Sequence, residues 1–89
     1  MPTVHLLIKG KVQGVNYRAS AKGIATNLVL TGWVKNTAEG CVEVGVTGDN
    51  EAIQQFIKWC RQGPPAAVVT DVEVKPMPDC NFPTFSIVR

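Results

Sequence analysis

A chain of 89 residues has room for one domain with a core and little surplus for a second. At 45% hydrophobic and 18% charged residues it is too apolar to be disordered. Its formal net charge of +2 suits a small anionic ligand and argues against nucleic acid, whose binders concentrate basic residues on one face.

In chain order, Val4, Leu6 and Ile8 alternate with His5, Leu7 and Lys9, the period of a half-buried strand. The strand runs into Gly10-Lys11-Val12-Gln13-Gly14-Val15-Asn16-Tyr17-Arg18. Beyond it Tyr17, Ala21, Ile24, Ala25 and Leu28 recur at the spacing of an amphipathic helix. Leu30 to Asn36 reads as a second strand with Trp33 and Val34 at its centre. A turn at Thr37-Ala38-Glu39-Gly40 follows, with Gly40 supplying positive φ. Cys41 to Thr47 completes a hairpin, with Val42, Val44 and Val46 on one face.

A second helix is predicted from Asp49, its N-cap, with Glu51 favourably placed at the positive dipole end. Ala52, Ile53, Phe56, Ile57 and Cys60 form its core stripe, and Gly63-Pro64-Pro65 ends it. Val68 to Lys75 alternates as a fourth strand, with Val68, Thr70, Val72 and Val74 on one face, and Pro76 is expected to break it. Phe85 to Val88 gives a short edge strand after Pro83. The order βαββαβ plus one strand predicts a single domain over residues 1–89. Its expected class is α+β: a ferredoxin-like sandwich with two helices on one face of a mainly antiparallel sheet.

Cys41, Cys60 and Cys80 are widely spaced with no CxxC pair, which argues against a disulfide framework or a zinc site and for reduced thiols. The N-terminus lacks a basic segment followed by a long apolar run, and no stretch approaches membrane-spanning length. A cytoplasmic monomer with no membrane partner is the expectation.

The strand–glycine–helix passage is where chemistry is expected. The first turn of a helix has unpaired N–H groups and the positive end of the dipole, and glycine lets several N–H groups point at one spot. Arg18, folded back, adds a planar pair of donors suited to phosphate or carboxylate. The same join also occurs in domains that bind nothing. The absence of Gly-Lys-Ser or Gly-Lys-Thr excludes a nucleotide P-loop.

The inventory of other catalytic groups is thin. His5 is the sole histidine and sits mid-strand, where a structural role is the simpler reading. Glu39, Glu43, Asp49, Glu51, Asp71, Glu73 and Asp79 fall on predicted turns, caps and wet strand faces without forming a pair. Ser20 and Ser86 have no recognisable base. An anion cradle with one arginine still suffices when the leaving group needs no proton. An acyl phosphate meets that condition, because its carboxylate departs as a weak base and phosphoryl transfer needs mainly positioning and charge stabilisation. A neutral amide such as Asn36 is suited to holding the water.

Gly10 to Arg18, together with Gly32-Trp33-Val34-Lys35-Asn36-Thr37-Ala38-Glu39-Gly40-Cys41-Val42 and Gly48, closely resembles the two signature motifs of the acylphosphatase family, and the resemblance covers essentially the whole chain. It implies hydrolysis of a carboxyl-phosphate anhydride to carboxylate and inorganic phosphate without metal or cofactor. By position, Arg18 corresponds to the family's phosphate-binding arginine and Asn36 to its water-orienting asparagine. Gln13, Gly14, Val15, Asn16 and Tyr17 correspond to its backbone cradle. Two positions depart from the pattern. Val29 stands where many members have glycine after the first helix, and a β-branched residue there resists positive φ. Asn16 occupies a variable position and either adds a polar group near the cradle or caps the helix, the cap being the favoured reading.

Two other readings remain at this point. One is a ferredoxin-like binding module for single-stranded RNA or a small anionic effector; an RNA module would want exposed aromatics on its sheet, and Tyr17, Trp33, Phe56, Trp59, Phe82 and Phe85 form no such pattern. A carbamoyl-phosphate-handling module, like related domains within larger maturation proteins, would act with partner domains.

Overall fold

The computed structural model describes residues 1–88. Its elements are β1 (Thr3–Lys11), α1 (Tyr17–Asn27), β2 (Thr31–Asn36), β3 (Val42–Thr47), α2 (Asn50–Gln62), β4 (Val68–Met77) and β5 (Phe85–Ile87). The strands form one sheet in the order β4-β1-β3-β2-β5, antiparallel throughout except for β5, which runs parallel to β2. This is the two-helix, mainly antiparallel arrangement expected from the element order.

The alternation in the strands decides which face the helices cover. Leu6, Ile8, Val34, Val42, Val44, Val46 and Val72 point into one core with Ala21 and Ala25 of α1 and Ile53, Phe56, Ile57 and Cys60 of α2. The stripe read from the α2 sequence is thus buried as expected. In α1 the small side chains of Ala21 and Ala25, one turn apart, allow the helix backbone to approach the sheet closely. Burial pushes the Cys60 thiol up to about 12, so it packs as a neutral, small hydrophobe.

Two details of β4 differ from the expected pattern. The pairing of β1 with β4 shifts between Lys9/Gly10 and Asp71/Val69, leaving Thr70 as the extra residue of a bulge. The bulge reverses the alternation: Val69 packs against the core and Val68 is 58% exposed. Gly10, at φ 123, is required here, because a side chain would run into the Val68 carbonyl oxygen. Pro76 does not end the strand either. It pairs with Val4, and β4 continues to Met77, because β4 lies at the edge of the sheet and needs no donor on its outer side.

Because β4 and β5 occupy opposite edges, the segment joining them must cross the sheet. It crosses over the face opposite the helices, where the Thr3 and Thr47 hydroxyls lie 2.6 Å apart. Both bond to the Cys80 backbone: the Cys80 N–H donates to Thr3 Oγ1 and Thr47 Oγ1 donates to the Cys80 carbonyl. The rest of that face sets charged groups beside Leu7 and Trp33. His5 Nε2 lies 2.7 Å from Glu43 Oε2, and Lys9 Nζ donates to Glu73 Oε2 at 2.6 Å. Lys35 sits 5.6 Å above the Trp33 ring.

Candidate active site

The phosphate-loop candidate leaves β1 at Lys11 and is pinned at three points. Val12 is buried at its start. Gln13 turns its side chain to the β2–β3 turn, where Nε2 donates to the Thr37 and Cys41 carbonyl oxygens, each at 2.8 Å. Tyr17, the first residue of α1, is buried against Trp59, and its hydroxyl donates to the Cys60 carbonyl at 2.7 Å. Burial holds the Tyr17 phenol far above its usual pKa range, so this residue is an anchor with no acid–base part to play.

Between these anchors the backbone turns through positive φ at Gly14 (73°) and Asn16 (65°). Gly14 has open space where a side chain would stand, so its need for glycine is conformational rather than steric. Asn16 occupies the N-cap position, as expected, but its side chain makes no cap hydrogen bond. A residue in the left-handed region aims its side chain away from the helix N–H groups, and the Asn16 carbonyl accepts only the first ordinary bond of the helix, from the Ser20 N–H at 3.2 Å. Asp49 at α2 behaves similarly, holding the cap position without a side-chain bond. No acidic residue stands in the first turn of α1, so nothing on the helix itself offsets its positive end.

One cavity of about 230 Å³ opens over this turn, lined by Val12, Gly14, Asn16, Tyr17, Arg18, Ala19, Asn36 and Ile87. Arg18 comes from the first turn of α1, Asn36 from the last residue of β2 and Ile87 from β5. The structure therefore brings Arg18 and Asn36 to one cavity with Gly14, Asn16 and Tyr17 of the loop. Gln13 and Val15 are outside its lining; Gln13 faces the hairpin turn, and Val15 packs against the core. Among the described residues Arg18 pairs with no carboxylate, while Glu43 and Glu73 are engaged on the opposite face. No acid, histidine or cysteine among the described residues lines the cavity. Among the described residues no group of three or more His, Cys, Asp or Glu side chains converges as a metal site would require.

Sequence reasoning missed Ala19 and Ile87 as lining residues, and the destination of the Gln13 side chain. Ala19 follows Arg18 and could have been inferred from adjacency. Ile87 could not: it reaches the cavity only because β5 pairs with β2, with Ile87 opposite Val34, and no local pattern announces that pairing.

The comparison with known proteins assigns the class. The acylphosphatase family model covers residues 4–87, and the chain belongs to that family, whose members are hydrolases acting on acid anhydrides. Among particular relatives, an acylphosphatase of Methylococcus capsulatus is 47% identical over 90 residues, spanning 100% of this chain and 98% of the relative. The crystal structure of an acylphosphatase from Bacillus subtilis has a TM-score of 0.96 at 34% identity, with 100% of both chains covered. A solved structure of an acylphosphatase from Coxiella burnetii has a TM-score of 0.95 at 36% identity, covering 98% of this chain and 92% of the other. The ferredoxin-like acylphosphatase fold is thereby established for this chain.

Proposed function

We propose that this protein hydrolyses acyl phosphates to a carboxylate and inorganic phosphate at the cavity over the α1 N-terminus, without a metal or cofactor. The observation that carries the reading is the cavity lining among the described residues: one arginine with no carboxylate partner there, one asparagine from another element, a loop turned through positive φ, and no acid, histidine or cysteine. Arg18 and the backbone N–H groups of residues 13–17 hold the phosphoryl oxygens and neutralise their charge. Asn36 holds a water in line with the bond to be broken. The water oxygen attacks phosphorus, and the acyl C–O–P linkage breaks at its P–O bond. The electron pair leaves on the carboxylate, and the water's excess proton passes to the phosphate product or to solvent. A leaving group that departs as a weak base needs no general acid, which is why so sparse a lining is sufficient.

The reading places the protein in the cytoplasm as a monomer. The free state of Cys41, Cys60 and Cys80 supports a reducing compartment. No helix among the described residues is long and apolar enough to cross a membrane. Against an RNA-binding role stands the fate of the aromatics. Tyr17, Phe56 and Phe85 are buried, Trp59 packs on Tyr17 and Phe56, and Trp33 lies between His5 and Lys35.

The test is hydrolysis of benzoyl phosphate by the purified protein in the presence of chelator. Steady turnover is expected, with kcat reduced about 10²-fold or more in Asn36→Ala and with phosphate inhibition kept within about threefold of wild type. A folded wild type that does not turn over the substrate would sink the proposal. Strict dependence on magnesium would overturn its metal-free chemistry.

A further inference from the structure

We infer that the Gln13 side chain is a positioning residue for hydrolysis: it straps the cradle to the β2–β3 turn and so sets the separation between the bound phosphoryl group and the water on Asn36. The inference rests on the acyl-phosphate reading above.

The geometry is specific. A glutamine amide has two N–H donors on Nε2, and here both are used at 2.8 Å on carbonyl oxygens at the two ends of one turn, Thr37 and Cys41. Each of those oxygens already accepts a bond from within the turn. The Gly40 N–H donates to the Thr37 carbonyl at 3.3 Å and the Thr37 N–H to the Cys41 carbonyl at 2.9 Å, while the Cys41 N–H donates to Thr37 Oγ1 at 3.1 Å. Gln13 therefore fills the second lone pair on both carbonyls and completes a closed network.

The network has a direct mechanical consequence. Asn36 is joined covalently to Thr37, so a tilt of the turn moves its side chain. The cradle, in contrast, follows the end of β1 and belongs to no strand. Among the described residues no backbone hydrogen bond links residues 12–16 to residues 36–41. The sheet fixes where β2 ends, the core fixes where α1 begins, and the Gln13 amide couples the two segments that face each other across the cavity. In-line displacement is sensitive to such coupling, since a misplacement of about 1 Å costs on the order of 10²-fold in rate.

The experiment is a double-mutant cycle of Gln13→Met with Asn36→Ala, using benzoyl phosphate turnover and competitive inhibition by inorganic phosphate. Methionine retains the length and volume of the side chain and removes both donors. The strap predicts that Gln13→Met lowers kcat about tenfold in the wild-type background with phosphate inhibition changed less than about threefold. In the Asn36→Ala background the same substitution should cost less than about twofold, because there is no longer a held water to misplace. Gln13→Asn, one methylene shorter and still a donor, is expected to show the same split; it serves if the methionine variant does not fold.

Equal kcat losses in both backgrounds would mean a general structural role and would overturn the inference. So would an undiminished kcat in the single variant, or phosphate inhibition weakening in step with turnover. An inactive wild type would bring down the acyl-phosphate reading and the strap with it, whereas an active wild type with an additive cycle would bring down the strap alone.

Discussion

Both ends of α1 pass through left-handed backbone, and they put it to opposite uses. At the N-terminal end Gly14 and Asn16 have φ of 73° and 65°, the Asn16 side chain makes no cap, and Arg18 occupies the first turn. At the C-terminal end Val29 has φ 58°. The Val29 N–H donates to the Thr26 carbonyl and the Leu30 N–H to the Ala25 carbonyl, a Schellman closure that satisfies two orphan oxygens. One end lines a cavity with no acidic residue in the first turn to offset its dipole; the other closes its backbone groups on themselves. Left-handed geometry is thus no mark of function by itself. What distinguishes the two ends is whether the backbone groups it exposes are satisfied from within the chain.

The comparison can be broken most severely at Arg18. Arg18→Ala should lower kcat/KM for benzoyl phosphate by about 10³-fold or more, since it removes a fixed charge from the developing transition state. In phosphate-free buffer the variant should be no less stable than wild type, and more stable by up to about 1 kcal/mol, because a cation in a first helical turn opposes the dipole. Millimolar phosphate should raise the melting temperature of wild type and leave that of the variant unchanged. A variant that is strongly destabilised and still protected by phosphate would mean that Arg18 belongs to the scaffold.

Gly14→Ala probes the same end through the backbone. Open space surrounds the position, so the cost is the conformational one of about 1 kcal/mol, together with a loss of turnover of roughly tenfold as the loop N–H groups reorient. Unchanged kinetics at reduced stability would detach the loop conformation from the chemistry.

Val29 is the counterpart at the other end. It is 86% exposed, so its β-branched side chain gains little from burial while sitting at φ 58°. Val29→Gly should stabilise the fold by about 1 kcal/mol after the entropy of the more flexible unfolded chain is counted, raising the melting temperature by roughly 4–8 °C, with benzoyl phosphate kinetics unaltered. No gain in melting temperature would show that this exit is unstrained.

The smallest effect isolates stability that neither helix end supplies. The His5 hydrogen bond, and the charges of His5 and Lys35, hold the Glu43 carboxyl below the usual range. A depressed folded pKa contributes stability that is present above the unfolded value of about 4.3 and is lost as the pH falls through the folded one. Because Glu43 is partly solvated, the contribution is under about 1 kcal/mol. Wild type should therefore lose more melting temperature than Glu43→Gln between about pH 5 and about pH 3. Parallel curves would remove this pair from the stability of the open face.

Much of this architecture was legible from local pattern. The α2 stripe, the three valines of β3, the positive φ of Gly40 and the passage from β1 through glycine into α1 all appear where periodicity and turn chemistry placed them. That Val29 would be the unusual residue of the helix exit was legible too, because many family members have glycine there, and the chain takes up the left-handed turn in spite of the β-branch. The reversed face of β4 was not. A bulge is a property of two strands in register, and Val68, Thr70, Val72 and Val74 read alone give no sign that Thr70 is unpaired. Pro76 misled for the same reason, since whether proline ends a strand depends on which edge faces a neighbour. The caps at Asn16 and Asp49 were placed correctly by position, while their side-chain bonds depended on φ, ψ and rotamers that sequence does not specify.

The sequence by itself determined the local backbone options and the apolar faces: where glycine admits positive φ, which residues share a helix stripe, and that Arg18 stands in a first turn beside an anion-prone loop. Only the tertiary structure decided what meets that turn. Asn36 with the turn held by Gln13, and Ile87, arrive from two other parts of the chain through the strand order β4-β1-β3-β2-β5. That order is selected by the burial and pairing of the whole sheet, a sum over contacts distant in sequence, whereas periodicity records only what each segment offers.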